Sequence, residues 1–561
     1  MRQLEIIVRQ IDETDQSLPE TEALRLTFTA LGLDDLRPGE VLDQLEQEIA
    51  DVGAEALRQI LTWRVEQLDA ELAQRRQHET AACQVTFDGK KPLTVATVLG
   101  RIRPRRQVCT CGSCGRDFMP LNQLLPEHNN IVITRGLQEL TCLFGMGGRS
   151  FEWAHCCLVR ATRDARVLSQ REVQEIILEH GEAIRQLEDA QAEAILQMEL
   201  TTNASALASE QPTEAILNQV TPATELKDSP AEIQQPIESS VGTPVPVLVP
   251  GRPPRRGPDW ETAVAQAVED ALNAGNLEQA PDGVSEADWE RIVTQVRGHE
   301  EGEQVIKHLA RLGPELSPDD LLIALDGIVV RGRRKKSRLE LRIARLATRQ
   351  GYRYITGTGQ AFMVRLRAAI KALGGARRFL VVLADGASWI RVFFEQDLAP
   401  YAARELVLDW YHLTKKCKEL LSMVARGRDQ RRELLKQLMP LLWQGKVDEA
   451  IKFLEGLRKT TRKTDKLEEL IGYLDKHHPY IPNYRQRRAN CQFNSSNAAE
   501  RACNTLVARR QKHRSMHWTL AGADALCALQ TLWHNLAWDL YWKSRQILPL
   551  VASDFPSAFA C

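Results

Sequence analysis

The spacing of apolar residues divides the chain into regions of different period. Across Ala54–Leu72 the positions Leu57, Ile60, Leu61, Val65, Leu68 and Leu72 recur at helical spacing, which predicts a helical region over residues 1–80. Such a stripe serves either as core or as a self-association seam. Alternation follows in Val85, Phe87, Leu93, Val95 and Val98, broken at Asp88-Gly89, and predicts a β-rich module over 81–130. Helical spacing returns from Thr134 to Glu182. Ser150 can cap one helix there, and Ser169-Gln-Arg-Glu172 is a capping-box pattern ahead of Val173, Ile176 and Ile177. Within 131–199, two short helices joined across Thr162–Leu168 fit a helix-turn-helix, whose second helix would enter a DNA major groove. Two adjacent amphipathic helices of an ordinary α domain give the same pattern.

Residues 200–258 change character: Thr, Ser, Pro, Gln and Glu dominate and aromatics are scarce, which predicts a disordered linker. It ends in Pro250-Gly-Arg252-Pro-Pro-Arg255-Arg256, which resembles an AT-hook lying in a narrow A·T-rich minor groove, or is simply a basic linker end. A helical segment is expected over 259–318. Three short apolar runs follow, Leu321–Leu325, Phe379–Ala384 and Glu405–Leu408, running into Asp326, Asp385 and Asp409. Each reads as a buried strand with an aspartate at its C-terminal end, where open α/β sheets carry their sites. With polar strand-like residues and an amphipathic helix near Gln360–Leu373 between the first two, the order is β-β-β-α-β, the way an RNase H-like sheet begins. We assign 319–412 to the first part of that core. Leu420, Leu421, Val424, Leu434, Leu435, Leu438 and Leu442 mark an all-α insertion over 413–492. The core resumes over 493–545, where Asn494-Ser-Ser-Asn-Ala-Ala-Glu500 opens a helix carrying Ala502, Leu506 and Val507, and 546–561 is a tail. The fold class expected is therefore multidomain α/β with α.

Composition adds bounds. A chain of 561 residues suggests three to four domains at ~150 residues each, and 43% hydrophobic residues suffice for real cores. No apolar run is long enough for a membrane span, and the charged start, Met1 to Thr14, has no apolar signal segment, so a cytoplasmic protein is expected. The net charge of -1 says nothing about nucleic acid, but the basic residues cluster. One cluster is Arg331, Arg333, Arg334, Lys335, Lys336 and Arg338; the other is Arg509, Arg510, Lys512, His513 and Arg514. A solvated helix face is the alternative for each. Of 12 cysteines, Cys109, Cys111 and Cys114 crowd together, which in a cytosolic chain favours a metal over disulfides. Cys111-Gly-Ser-Cys114-Gly115 is a knuckle that supplies two of the four ligands of a structural zinc. Cys83, Cys109, His128, Cys142 and His155-Cys156-Cys157 are candidates for the rest; reduced thiols on a β-turn are the alternative.

The aspartates suggest a chemistry. Phosphodiester cleavage needs a more basic attacking oxygen and a neutralised leaving oxygen, and two Mg²⁺ (or Mn²⁺) ions about 4 Å apart do both on carboxylate ligands. Asp326 and Asp385, on neighbouring strand ends, supply two carboxylates, and Glu500 is the natural third. A helix-start glutamate favoured by the dipole is the competing account of Glu500.

From about Cys109 to Trp542 the chain resembles the DDE transposases of bacterial insertion sequences in the ISKra group, relatives of the Mutator-like enzymes. The resemblance rests on the cysteine cluster with Phe118-Met-Pro120, Ala324-Leu-Asp326-Gly327, Thr356-Gly-Thr-Gly-Gln-Ala-Phe362, Ala384-Asp385-Gly386-Ala-Ser-Trp389-Ile390 and Leu408-Asp409-Trp-Tyr411-His412. It continues through Glu500-Arg-Ala-Cys503, Val507-Ala-Arg-Arg510-Gln-Lys512, Ser515-Met516-His-Trp518 and Asn535-Leu-Ala-Trp538-Asp-Leu-Tyr-Trp542. It implies a triad of Asp326, Asp385 and Glu500, an Asp-x-x-His element at Asp409 and His412 that orients DNA or steadies the site, and an all-α insertion before the glutamate. It implies cleavage at transposon ends and joining of the freed 3′-hydroxyl to target DNA by an oligomer in the bacterial cytoplasm, with Arg509, Arg510, Lys512 and Arg514 near the phosphates. One departure is Asn494-Ser-Ser-Asn497, where the family carries a Gly-Ser-Gly-type stretch; asparagine tolerates the left-handed backbone glycine would supply. A domesticated DNA-binding relative without catalysis, and a metal-dependent nuclease that cuts without joining, are the competing functions.

Overall fold

A computed structural model describes residues 2–10, 21–31, 37, 39–79, 85–112, 115–125, 131–209, 316–334, 337–461, 463–490, 492–513 and 515–550. The expected helical segment at 259–318 (but for its last three residues), the AT-hook-like Arg252, Arg255 and Arg256, and also Cys83, Cys114, His128, Lys335, Lys336 and Arg514 lie outside the described residues. The protein is mixed α/β, in two compact units. Among the described residues no helix is long and apolar enough to cross a membrane.

The first unit comprises Met1–Arg185, Arg509–Leu532 and Trp538–Gln546. It opens with strands β1 (Arg2–Gln10) and β2 (Thr21–Ala30), paired antiparallel. This corrects the expectation of helix throughout 1–80: helix α1 spans only Val41–Glu79. The cause is period-two alternation in Leu4, Ile6 and Val8 and in Leu24, Leu26 and Phe28, which favours a strand. The α1 stripe is core in its second half, where Leu61, Val65, Leu68 and Leu72 cover Leu93, Val95, Ile102, Leu121 and Val132. Those partners belong to a β-rich module of β3 (Val85–Pro92), β4 (Thr94–Thr97), β5 (Gly100–Ile102), β6 (Arg105–Cys111), β7 (Asp117–Phe118) and β8 (Ile131–Ile133).

Helices α2 (Arg135–Gly147), α3 (Phe151–Thr162) and α4 (Gln170–Ser209) follow. Ser150 caps α3 by accepting from the Trp153 amide at 2.9 Å. The capping box at α4 is closed in both directions, Glu172 N–H to Ser169 Oγ at 3.2 Å and Ser169 N–H to Glu172 Oε2 at 2.6 Å. Yet α4 is no short recognition helix. It runs 40 residues, past the expected linker start at 200. Its first turns expose Glu175, Glu179 and Glu182, with Arg171 drawn to Glu175 at 2.7 Å.

The second unit comprises Gln186–Ala508, Trp533–Ala537 and Ile547–Cys561. Its centre is a five-stranded sheet of β9 (Asp320–Arg331), β10 (Arg338–Thr348), β11 (Gly351–Gly357), β12 (Phe379–Ala384) and β13 (Arg404–Leu408), in the order β11-β10-β9-β12-β13. β9, β10 and β11 pair antiparallel; β12 runs parallel to β9, and β13 parallel to β12. Helix α5 (Gly359–Ala372) connects β11 to β12. Leu321 to Leu325 and Leu380 to Ala384 are all but one buried to 2% or less. Both faces are therefore covered, which is why these strands read as continuous apolar runs. Burying each of their Leu, Ile and Val side chains stabilises by about 1.5–3 kcal/mol. After a short helix α6 (Ser388–Val392) and β13, the insertion is helical: α7 (Trp410–Val424), α8 (Arg428–Trp443), α9 (Val447–Gly456), α10 (Thr464–His477) and α11 (Tyr484–Ala489). Helix α12 (Asn497–Cys503) follows and packs on β9 and β10.

Candidate active site

Strand register assembles the site. Leu383 on β12 pairs with Ala324 on β9, so two residues on, Asp385 stands beside Asp326. Ala384 pairs with Leu408 on β13, and the Asp409 amide donates to the Ala384 carbonyl at 2.8 Å, so Asp409 stands at the same level. Three aspartates thus share one level of three adjacent strands, spaced about 4.8 Å apart. One detail corrects the sequence reading. Asp326 is not at a strand end, because β9 continues to Arg331 while paired with β10. Only the parallel part of the sheet stops at this level.

Each carboxylate is held differently. Asp326 is half-buried; its Oδ1 accepts from the Gly327 amide at 2.7 Å and its Oδ2 from the Cys503 thiol at 3.3 Å. Burial pushes its carboxyl up and the neighbouring Asp385 charge adds to this, while Cys503 and the Gly327 amide oppose it. Asp385 Oδ1 accepts from the Ala387 amide at 2.9 Å, which closes a turn at the end of β12. Glu500 lies in the first turn of α12, where the helix dipole favours a carboxylate, with Cys503 one turn on.

Asp409 is 1% exposed and caps α7. Its Oδ1 accepts from the His412 amide at 2.9 Å and lies 3.2 Å from His412 Nδ1; its Oδ2 accepts from the Ser496 amide at 2.5 Å and from Ser496 Oγ at 3.1 Å. Burial opposes its ionisation, but the bonds from His412 and Ser496 outweigh it and hold the carboxyl below the usual range. The same bond to Asp409 raises His412, helped by Asp409, Asp385 and Glu500 charges and opposed by burial. With Nδ1 turned to Asp409, the His412 ring presents Nε2 to Glu500 Oε1 at 3.4 Å. A chain from Asp409 through His412 to Glu500 results, and Cys503 links α12 to Asp326.

The loop before Glu500 is held by polar stitching rather than by special backbone. None of Asn494 to Asn497 has a positive φ, so the asparagines do not stand in for left-handed glycines as expected. Instead the Trp410 amide donates to the Asn494 carbonyl at 3.1 Å and Asn494 Nδ2 to the Tyr484 carbonyl at 3.0 Å. Arg487, 6% exposed, pairs with Glu405 at 2.7 Å and donates to the Phe493 carbonyl.

Neither Ser496 nor Cys503 was assigned a role in the site from sequence. Cys503 had a signal, its spacing of three from Glu500 on a helix; Ser496 had none. The donor set of Asp326, Asp385 and Glu500, all hard oxygens, fits Mg²⁺ or Mn²⁺. Among the described residues, no three His, Cys, Asp or Glu side chains are gathered closely enough to form a metal-holding group as they stand.

The basic cluster of the first unit divides. Arg509 and Lys512 are exposed, but Arg510 is 2% exposed and is corrected as a phosphate contact. Its guanidinium lies over the Phe151 ring at 4.9 Å and the Trp518 ring at 5.2 Å, and Nε donates to the Gly145 carbonyl at 2.8 Å. Burial brings it down to about 10. In the cysteine cluster, Cys109 is buried and Cys111 half-buried on β6. The chain then turns back, Gly115 N–H donating to the Cys111 carbonyl at 2.7 Å and Cys111 N–H to the Arg116 carbonyl at 3.1 Å, with Gly115 at φ +64. Cys142 is a core thiol whose ionisation burial suppresses. No protein-family model matches the chain, and no curated protein matches it.

Proposed function

We propose that this chain is a DDE transposase with an RNase H-like core, of the ISKra and Mutator-like kind. It cuts transposon ends and joins them to target DNA. The observation that carries the reading is the level alignment of Asp326, Asp385 and Asp409, with Glu500 linked to it through Cys503 and through His412. The sheet order, three antiparallel strands and then two parallel ones with helices following, supports the core assignment.

In this reading Asp326, Asp385 and Glu500 would hold Mg²⁺ or Mn²⁺, whose chemistry is to make an attacking water or 3′-hydroxyl more nucleophilic and to neutralise the leaving oxygen. Asp409 is a holder rather than a ligand. It is saturated by four donors, fixes the Nδ1 side of His412 and ties the loop before Glu500. His412 then steadies Glu500 through Nε2. Exposed Arg509 and Lys512 suit double-stranded DNA, and Cys111 with Cys114 would supply one half of a structural zinc site. A homo-oligomer on paired ends belongs to the same reading.

The test is cleavage of DNA carrying the element's own ends, with Mg²⁺ or Mn²⁺, comparing the native chain with Asp385→Asn and Glu500→Gln. Cutting by the native chain, lost in both variants while DNA binding persists, is the expected result. Equal cutting by all three discards the site. Binding without cutting by any of them favours a DNA-binding relative without catalysis, and cutting without joining in a strand-transfer assay favours a nuclease.

A further inference from the structure

The helical insertion reaches the aspartate level at a second point that no motif announced. His477 ends α10 and is 4% exposed. Its ring faces two backbone carbonyls. Nδ1 lies 2.8 Å from the Tyr473 oxygen in its own helix, and Nε2 lies 3.3 Å from the Gly386 oxygen. Gly386 is the residue after Asp385 and has φ +89, where an L side chain is strained. A Cβ there would come to 3.0 Å from both His477 Nε2 and Leu408 Cδ1.

The Ala387 carbonyl of this turn accepts from the Ile390 and Arg391 amides at 3.1 and 3.3 Å, whereas the Gly386 carbonyl faces His477. A small cavity adjoins Gly386 and Ala387, lined by Ile390, Arg391, Leu408 and Tyr480 among others as well as by His477. Glycine's wide range of allowed backbone angles would let this turn take more than one conformation were it not held. Any such change moves Asp385, whose carboxylate is bonded to the Ala387 amide of the same turn.

We infer that His477, with a proton on Nε2, is a positioning residue: by donating to the Gly386 carbonyl it holds the Asp385 turn in one conformation, so the insertion and not the sheet alone sets where Asp385 points. Helix α10 also packs on α7, which presents His412 to Glu500. One helical body therefore steadies two of the three carboxylates. The inference rests on the metal-carboxylate reading above.

The experiment measures Mn²⁺ affinity of the full chain by electron paramagnetic resonance for the native protein, His477→Leu, His477→Gln and Asp385→Asn, with circular dichroism as the check on folding. Outer-shell holders typically contribute 10–100-fold in metal affinity. His477→Leu refills the volume without the polar contact, so it is expected to stay folded and to bind Mn²⁺ about 10-fold or more weakly. His477→Gln, which keeps a donor, recovers most of the loss, and in cleavage the loss falls on kcat with KM for DNA unchanged. Native-like Mn²⁺ affinity in His477→Leu, while Asp385→Asn loses binding, overturns the inference and leaves the metal reading standing. No Mn²⁺ binding by the native chain, or binding undiminished in Asp385→Asn, overturns both. Should His477→Leu not fold, His477→Gln against the shorter His477→Asn carries the test, and equal affinities in that pair overturn the inference.

Discussion

Replacing Asp409 by Asn tests the account of the site most directly, because it keeps shape and removes charge. The native carboxylate faces donors on both oxygens, the His412 amide and ring on Oδ1 and the Ser496 amide and hydroxyl on Oδ2. An asparagine oxygen can serve one side only, and its NH₂ must then point at donors on the other. If the oxygen keeps the α7 cap, the buried Ser496 amide loses its acceptor. A buried donor left unmade costs about 1–3 kcal/mol, and a charge-assisted bond adds to that, so the loss is about 2–4 kcal/mol, confined to this locality. Global unfolding of a two-unit chain would blur such a loss, so hydrogen exchange of a peptide covering Ser496–Cys503 is the assay. At about 1.4 kcal/mol per decade, its protection should fall roughly 30- to 700-fold. Glu469→Gln, which breaks the exposed Lys416–Glu469 pair at 2.9 Å, should leave protection unchanged there. Protection within threefold of native in Asp409→Asn would refute the claim that Asp409 holds the Glu500 loop.

Three further outcomes follow from the same geometry. Because Asp409 is held below the usual carboxylate range, its contribution is present above about pH 4 and is lost as pH falls through its depressed value; because His412 is raised, its contribution is complete below about pH 6.5 and is lost as pH rises through its raised value. Protection of Ser496–Cys503, corrected for intrinsic exchange, should therefore peak between the two, and a profile that keeps rising above neutrality would contradict the His412 link. Arg510→Lys keeps the charge but loses the Phe151 and Trp518 stacking and the Gly145 bond, and should cost the first unit about 2–4 kcal/mol in thermal or urea unfolding with DNA affinity unchanged. A drop in DNA affinity without loss of stability would restore Arg510 as a phosphate contact. Gly386→Ala places a Cβ at 3.0 Å from His477 and Leu408 on a left-handed backbone, so it should cost about 1–3 kcal/mol and weaken Mn²⁺ binding; native behaviour on both counts would show the turn to be freer than its φ implies.

Much of the core was legible in the order of residues. The runs at Leu321, Phe379 and Glu405 announced strands because a sheet buried on both faces needs apolar residues at every position. The boxes at Ser150 and Ser169 announced helix starts because a capping bond is local. The all-α insertion showed itself through amphipathic spacing. Long-range geometry did not show. In the N-terminal hairpin, the doublet Ile6-Ile7 masks the alternation, and the helical stripe of α1 drew 1–80 into one reading. The charge of Arg510 suggested DNA, whereas the rings of Trp518, eight residues on, and of Phe151, distant in sequence, hold it in the interior.

The sequence by itself named the carboxylates proposed for metal-assisted chemistry and the elements that carry them. It placed one aspartate at the end of each of three apolar runs and a glutamate at a helix start, because composition and period are local properties. Only the tertiary structure decided that Asp326, Asp385 and Asp409 stand level, since one residue of slip in the β9–β12–β13 register would turn an aspartate to the other face. It alone brought Cys503 to Asp326, His412 to Glu500 and His477 to Gly386. Those contacts join residues from 88 to 177 positions apart, and no local propensity encodes them; they form when the helices close over the sheet.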